Sequence, residues 1–544
     1  MLNLVKKNRF NLCILGGFIL LSLLIYSQTL DSFFLSDDFD RIYNIQDKGI
    51  FGVWTTAPEI FFRPIISVTL FIDYSLWKLN PLGYHLTNVI FHSICSFLVY
   101  IVTISLLERT WRYQKNIKLI AVIASCIFLV LHSHVEAVAW ISARADLVFT
   151  GFCLAAFWVY LRYKRYSKLS DLIISYLLFL CGTFSKESAL IFPGFIFAYE
   201  LYDVFNSLNK QRSLFTFLKT VFLPIFYSTA WLIYFPLRYL GLGKFLGGYG
   251  GDVHLNYSWF AIFQGFYSSL RVIIPPLTFS TPLLWRILFI LFLSSLIWFL
   301  HHTYKQGEAT QETGKLTLFL LSCWGISILP FINIGVSTAD TQSERFLYLS
   351  SAFFSILLTL FLEYILTKRQ FVLILLVTCF SMLSINQIYL SSQTWRTASQ
   401  ISQQTITSIK PLKENQGMFV INLPDNYKGA YIFRNGFYQA LLLFCPFVDL
   451  DWIIVSSFHT LLNPEDEVEV TGITSHEYRA TMQNPDTYFV KIPELLEKNI
   501  ENNGFEMTSL DYENYRSYTL KIIDTVRLHR IFYYTNQKLK RVLT

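Results

Sequence analysis

The chain is 544 residues long, 53% hydrophobic and only 15% charged. A soluble globular chain carries about 25% charged residues, so an ordinary water-soluble fold is excluded. The net charge of +7 does not mark a nucleic-acid surface either, because the Lys and Arg cluster in short loops between apolar runs, which is a topology signal.

Apolar runs of about 20 residues, the length that crosses ~30 Å of hydrocarbon, recur through the first three quarters. Lys6, Lys7 and Arg9 place the N-terminus in the cytoplasm by the positive-inside rule. Residues 10–27 follow; the run is long and no small-residue cleavage site follows Tyr26, so it reads as an uncleaved first span. Residues 30–82 are then outside, and a second span runs from Tyr84 to before Glu108. Arg109, Arg112, Lys115 and Lys118 mark a cytoplasmic loop. A third span rises to Trp140 and a fourth descends over 147–160 to Arg162, Lys164, Arg165 and Lys168. The fifth and sixth flank a short outer turn at 185–188, and Lys210, Arg212 and Lys219 form the next basic loop. The seventh ends near Arg238, opening a glycine-rich outer loop at 241–252. Residues 259–276 are apolar but carry Arg271 and end in Pro275-Pro276, and are predicted to lie on or re-enter the outer face. Further spans cover 284–300, rise to Ile334, descend to Lys368 and Arg369, and rise again over 371–390.

From Ser391 charges become frequent (Asp466, Glu467, Glu469, Glu497, Glu501), and short apolar stretches at 418–421 and 452–455 read as strands between turn residues. The expected architecture is an α-helical polytopic membrane protein of about 11 transmembrane helices by the charge pattern. These occupy residues 1–390, and an extracytoplasmic α/β or α+β domain occupies 391–544. Seven of the eight cysteines fall in apolar runs and only Cys445 lies in the polar part, so there is no disulfide framework or CxxC knuckle.

Ionisable groups at membrane depth are costly and usually functional, which directs attention to the outer ends of the spans. Asp37 and Asp38 follow the first span within FFLSDDFDRIY; adjacent carboxylates raise one pKa, as a general base requires, and the alternative is a solvated acidic loop. Arg63, beside Pro64 and upstream of Asp73, is a phosphate clamp or an interfacial anchor. His85, Asn88 and His92 share one helical face, turned to a cavity or to another helix. In LHSHVEAVAWISARADL, His132 and Glu136 share a face and His134 points elsewhere, a poor metal triad, while Arg144 and Asp146 add a charge pair. Lys186 and Glu187 can hold each other or a phosphate, and Glu344, Arg345 and Tyr348 stand at a further outer edge.

The first-loop Asp-Asp, Phe62-Arg63-Pro64, PLGYHLTNVIFH (81–92), HSHVEAVAWISARADL (132–147), FSKES (184–188) and SERFLYL (343–349) occur in an order that resembles a known family. It is that of the transmembrane and tetratricopeptide-repeat O-mannosyltransferases and their bacterial relatives in the GT-C clan. HVEAVAWISARADL is the most specific element; the tetratricopeptide array is absent and the C-terminal domain differs. The resemblance implies a polyprenyl-phosphate-linked sugar donor reached from the membrane, and a protein, glycan or lipid acceptor reached from outside. It implies Asp37 or Asp38 as base in an inverting displacement, with Arg63, Arg144, Lys186 and Arg345 on the donor phosphate. His85, Asn88, His134, Glu136, Asp146, Glu187 and Tyr348 would orient sugar or acceptor. No cofactor is called for, and the residues leave metal dependence open while weighing against it. The implied location is a bacterial plasma membrane. A polymerase or ligase of lipid-linked polysaccharide shares this topology without needing the Asp-Asp. A transporter predicts internal repeats, which are not seen.

Overall fold

The computed structural model describes residues 2–49, 61–110, 117–206, 214–245, 258–273, 282–305, 308–332, 334–337, 340–366, 369–409, 418–445, 453–490, 505–511, 513–523 and 530–542. Most of the glycine-rich loop lies outside these residues, as do Arg112, Lys115, Lys210, Arg212, Pro275, Pro276, Lys368, Trp452, Glu497 and Glu501. The chain forms two compact units. The first comprises 1–27, 50–76 and 83–391, and the second 28–49, 77–82 and 392–544.

In chain order the helices are α1 (Leu2–Ile25), α2 (Asp37–Lys48), α3 (Pro64–Trp77), α4 (Pro81–Thr110), α5 (Ile117–Leu129), α6 (Val135–Ala139), α7 (Arg144–Tyr166) and α8 (Leu169–Ser185). They continue as α9 (Phe192–Asn206), α10 (Leu214–Ser228), α11 (Ala230–Leu242), α12 (Trp259–Ile273), α13 (Pro282–Lys305), α14 (Glu308–Ile328), α15 (Tyr348–Leu366) and α16 (Gln370–Ile409). Among the described residues eight helices are long and apolar enough to cross a membrane, or nine if the bent pair α5 and 132–139 is one span. The protein is therefore a multi-pass membrane protein, and its described residues hold fewer such helices than the eleven spans read from the sequence. Of the expected spans outside that count, the first falls on α1 (Leu2–Ile25). The fifth is the apolar helix Leu169–Ser185, which at 1.5 Å per residue reaches roughly 26 Å against the ~30 Å hydrocarbon core.

Two helices in the expected outer loop went unread. Pro64 opens α3 at the position where its missing N–H costs nothing. Asp37, Asp38 and Asp40 fill the first turn of α2, where the helix dipole favours acids.

The second unit is strand-rich, as expected. Among its described residues β1 (Met418–Val420), β2 (Leu423–Tyr427), β3 (Ala430–Tyr431), β4 (Ile453–Val455), β5 (Phe458–Leu461), β6 (Val468–Gly472), β7 (Glu477–Met482), β8 (Phe489–Val490), β9 (Phe505–Leu510), β10 (Ser517–Ile522), β11 (Arg530–Thr535) and β12 (Lys538–Arg541) form three four-stranded sheets, and α17 (Phe437–Phe444) follows β3. The sheet orders are β12-β11-β1-β4, β6-β7-β10-β9 and β3-β2-β5-β8, with β1 parallel to β4 and β11 and β2 parallel to β5. Phe419, Tyr478, Met482, Phe505, Tyr518 and Leu520 make its core. The buried Tyr518 hydroxyl donates to the Ile421 carbonyl at 2.6 Å, so the aromatic is buried without an orphan polar atom.

A candidate site at one end of the membrane helices

The third expected span is broken where the polar residues begin. α5 stops at Leu129, and residues 132–139 continue at 57° to it. A break at membrane depth strands backbone carbonyls, which must find protein partners. His92 supplies one: its Nε2 lies 3.0 Å from the Leu129 carbonyl and its Nδ1 2.6 Å from the Tyr348 hydroxyl. A carbonyl only accepts, so the proton sits on Nε2 and neutral Nδ1 accepts from Tyr348. His134 Nε2 shares a hydrogen bond with Ser351 Oγ at 2.7 Å, and its ring packs 4.4 Å from that of Tyr348. In the structure His134 and Tyr348 are buried parts of a helix joint, packed on each other. Asn88 ties the same joint to α7: its Nδ2 donates to the Val138 and Trp140 carbonyls at 3.2 Å, and its Oδ1 accepts from Arg144 Nε at 2.7 Å. His85 is buried one turn earlier on α4.

The four expected phosphate-binding cations come together at this end of the helices, each beside a carboxylate. Arg63 grips Glu187 with two parallel bonds, at 2.5 and 3.0 Å. Arg144, fully buried, lies 2.5 Å from Asp73 and donates to the Tyr84 carbonyl at 2.9 Å, while Asp73 accepts from Thr87 at 2.8 Å. Lys186 meets Asp146 at 2.6 Å. Arg345 pairs with Glu136 through its guanidinium, and its backbone N–H donates to the same carboxylate at 2.9 Å.

Two expected pairings are corrected. Arg144 and Asp146 do not pair, because residues two apart on a helix do not face each other; each finds a partner on another element. Lys186 and Glu187 do not pair either. Lys186 is extended (φ −160°, ψ 135°), which turns successive side chains to opposite sides.

The pairs form one cluster. Lys186 Nζ lies 4.8 Å from the centre of the Phe346 ring and the Arg345 guanidinium 4.6 Å from the same ring, so one aromatic ring serves two cations. Asp146 also acts on Glu136 and Lys186 on Glu187, which links the Arg345, Lys186 and Arg63 pairs, and Arg144 stands two residues before Asp146 at the start of α7. Burial grades them: Arg144 and Lys186 are wholly enclosed, whereas Glu187 is 26% exposed, so the Arg63–Glu187 pair keeps an edge to solvent.

In the second unit, α2 is anchored by strand and turn residues. Ser36 N–H donates to the Ile432 carbonyl at 2.9 Å, and Asn435 Nδ2 donates to Asp37 Oδ1 at 2.8 Å. Asp38 Oδ2 accepts from the Leu35 N–H at 3.0 Å. Gly436 (φ +80°) is required here, since a Cβ would collide with the Ser36 carbonyl. The carboxyl that departs most clearly from ordinary behaviour in α2 is Asp40. Burial first, then the charge of Asp37, push it up to about 7 against the pull of Arg41. Between about pH 4 and 7 the folded protein keeps this proton and the unfolded chain has lost it, so stability falls as pH rises through that window. The penalty is at most on the order of 4 kcal/mol. Asp40→Asn is therefore expected to raise the Tm at pH 8 and leave it unchanged at pH 4. Equal shifts at both pH values would show that Asp40 does not titrate in this way.

Among the described residues no group of three His, Cys, Asp or Glu could hold a metal ion. The sequence reading did not give roles to Asp73, Asp40 and Glu344. Asp73, fourteen residues before its Thr87 partner, carried a signal in being a lone acid within an apolar run.

No protein-family model matches the chain. Among curated proteins it is similar to protein O-mannosyl-transferases. Tmtc1 of Drosophila melanogaster is 30% identical over 173 residues, 31% of this chain and 17% of that protein. TMTC3 of Homo sapiens is 32% identical over 144 residues (26% and 15%), and TMTC2 of Homo sapiens is 26% identical over 241 residues (41% and 28%). The match spans less than a third of each relative's own length. Two solved structures show a loose likeness. The archaeal oligosaccharyltransferase AglB of Archaeoglobus fulgidus, in complex with an inhibitory peptide and a dolichol-phosphate, is 12% identical over 76% of this chain and 62% of its own, with a TM-score of 0.42. ArnT from Cupriavidus metallidurans, bound to undecaprenyl phosphate, is 9% identical over 93% and 97%, with a TM-score of 0.43. Such scores are too low to transfer residue positions.

Proposed function

We propose that the chain is a membrane glycosyltransferase that moves a sugar from a polyprenyl-phosphate donor to an acceptor hydroxyl on the extracytoplasmic side, with inversion. The observation that carries this reading is the gathering of Arg63, Arg144, Lys186 and Arg345 in one cluster at one end of the membrane helices. Departure of the sugar leaves growing negative charge on the lipid phosphate. Fixed cations in a water-poor setting stabilise that charge more in the transition state than in the ground state. Arg63 is the cation best placed to exchange partners, because Glu187 reaches solvent and can release it. Arg144 and Lys186 act by holding the cluster in place. Asp37 or Asp38 takes the acceptor proton as the oxygen attacks the anomeric carbon, a role carried over from the family resemblance. The similarity to O-mannosyl-transferases makes mannose the first donor sugar to try and a protein hydroxyl the first acceptor. A bacterial plasma membrane with the N-terminus inside fits the charge pattern.

The test is transfer from polyprenyl-phosphate mannose by the full chain in liposomes, followed by panels of glucosyl, pentosyl and aminosugar donors. Labelled product with the opposite anomeric configuration is expected. Arg63→Ala should reduce transfer roughly 10- to 100-fold, the worth of a charged hydrogen bond, and should cost less stability than removing a fully enclosed partner, because the Glu187 side chain is 26% exposed. A folded chain that transfers no sugar from any of these donors overturns the reading.

A further inference from the structure

The cluster uses its cations up and leaves one acid over. Glu344 opens the turn Glu344–Leu347 that leads into α15, and it is only 7% exposed. Its Oε2 is buried without a hydrogen-bond partner, and among the described residues Glu344 forms no ion pair. The charged groups acting on it are two further acids, Glu136 and Asp340. Glu136 is already engaged by both the side chain and the backbone of Arg345. Three residues upstream, the Thr341 hydroxyl is likewise buried with no partner.

Both groups lie in the short stretch of chain just before α15, and a lone buried carboxyl is among the costliest polar groups to leave unmet. Their chemistry restricts what can satisfy them. A carboxyl accepts when ionised and also donates when protonated, and a sugar hydroxyl suits either form; an anion such as a lipid phosphate is disfavoured beside Glu344, Glu136 and Asp340. A protein-held metal finds no three-ligand set here among the described residues. Neutral hydroxyls remain, and a sugar ring carries several. Glu136, which Arg345 holds, also acts on Glu344, so a ligand whose ring meets Glu344 brings its phosphate, one glycosidic bond away, to the edge of the cationic cluster.

We infer that Glu344 and Thr341 form the subsite for the sugar ring of the lipid-linked donor, with Glu344 accepting hydrogen bonds from its hydroxyls and Thr341 completing the set. This rests on the reading of the chain as a lipid-phosphate-sugar transferase, and the experiment separates the two. Binding of undecaprenyl-phosphate mannose and of sugar-free undecaprenyl phosphate is measured on the full chain in nanodiscs, for wild type, Glu344→Gln and Thr341→Val. Wild type is expected to favour the mannosylated lipid. Glu344→Gln should cut that preference roughly tenfold, the worth of a hydrogen bond to a charged group, and Thr341→Val should cut it less. Binding of the sugar-free lipid should be unchanged in both. A merely structural role would weaken both ligands together and overturns the inference. A preference that survives both variants also overturns it, as does a wild type that binds both lipids equally, which leaves lipid-phosphate recognition standing. Wild type that binds neither lipid removes the transferase reading as well. Binding restored only by Mn2+, and lost in Glu344→Gln, would replace the sugar by a cation and overturn the subsite.

Discussion

Arg144→Ala is expected to destabilise the protein by roughly 3–5 kcal/mol, because it leaves a buried carboxylate with no counter-charge. Asp73 loses its ion pair at 2.5 Å, and the Asn88 side chain and Tyr84 carbonyl lose their donor in the same step. The effect should appear as a lower Tm and a lower yield of folded protein in detergent. The double variant Arg144→Met with Asp73→Leu removes both charges at similar volume and should recover most of the loss, since an apolar pair of matching shape often replaces a buried ion pair at little cost. If the single and double variants are equally unstable, the pair is not what holds α3, α4 and α7 together.

The second large effect is chemical. Asp38→Asn is expected to reduce transfer about 10²- to 10⁴-fold, the usual contribution of a positioned base, with little change in Tm. The geometry makes the two readouts separable. Asp38 accepts the Leu35 N–H at 3.0 Å, and an asparagine carbonyl can still accept it, so the turn before α2 survives. Asp37→Asn is the comparator, since its contact with Asn435 Nδ2 at 2.8 Å also needs only an acceptor. One of the two should carry the loss. Unchanged transfer in both would remove the base from this turn.

The membrane class and the strand-rich second unit were legible because each depends on local sequence. An apolar run is hydrophobic whatever it packs against, and an arginine at a span edge is conspicuous wherever its partner lies. The partners were not legible. Glu187 is 124 positions from Arg63, and Glu136 is 209 from Arg345. Nearest-neighbour reasoning joined Arg144 to Asp146 and offered Glu187 as one partner for Lys186, where backbone direction turns both pairs apart. The acidic triplet at α2 was a helix start, with acids filling the first turn, and was read as loop because the segment is short and polar. The fifth run was read as a span, and its apolar helix, Leu169–Ser185, is shorter than the bilayer's thickness.

The kink after α5 carries a consequence for how the protein is built. A segment that stops at Leu129 and turns aside cannot rest in lipid by itself, because its last carbonyl is satisfied from His92 on α4, and His92 is held by Tyr348 of α15. The Leu129 carbonyl is met once α4 and α5 stand together. The second ring nitrogen of His92 gains its partner only with a helix made more than two hundred residues later, so this early joint takes its final form when α15 arrives.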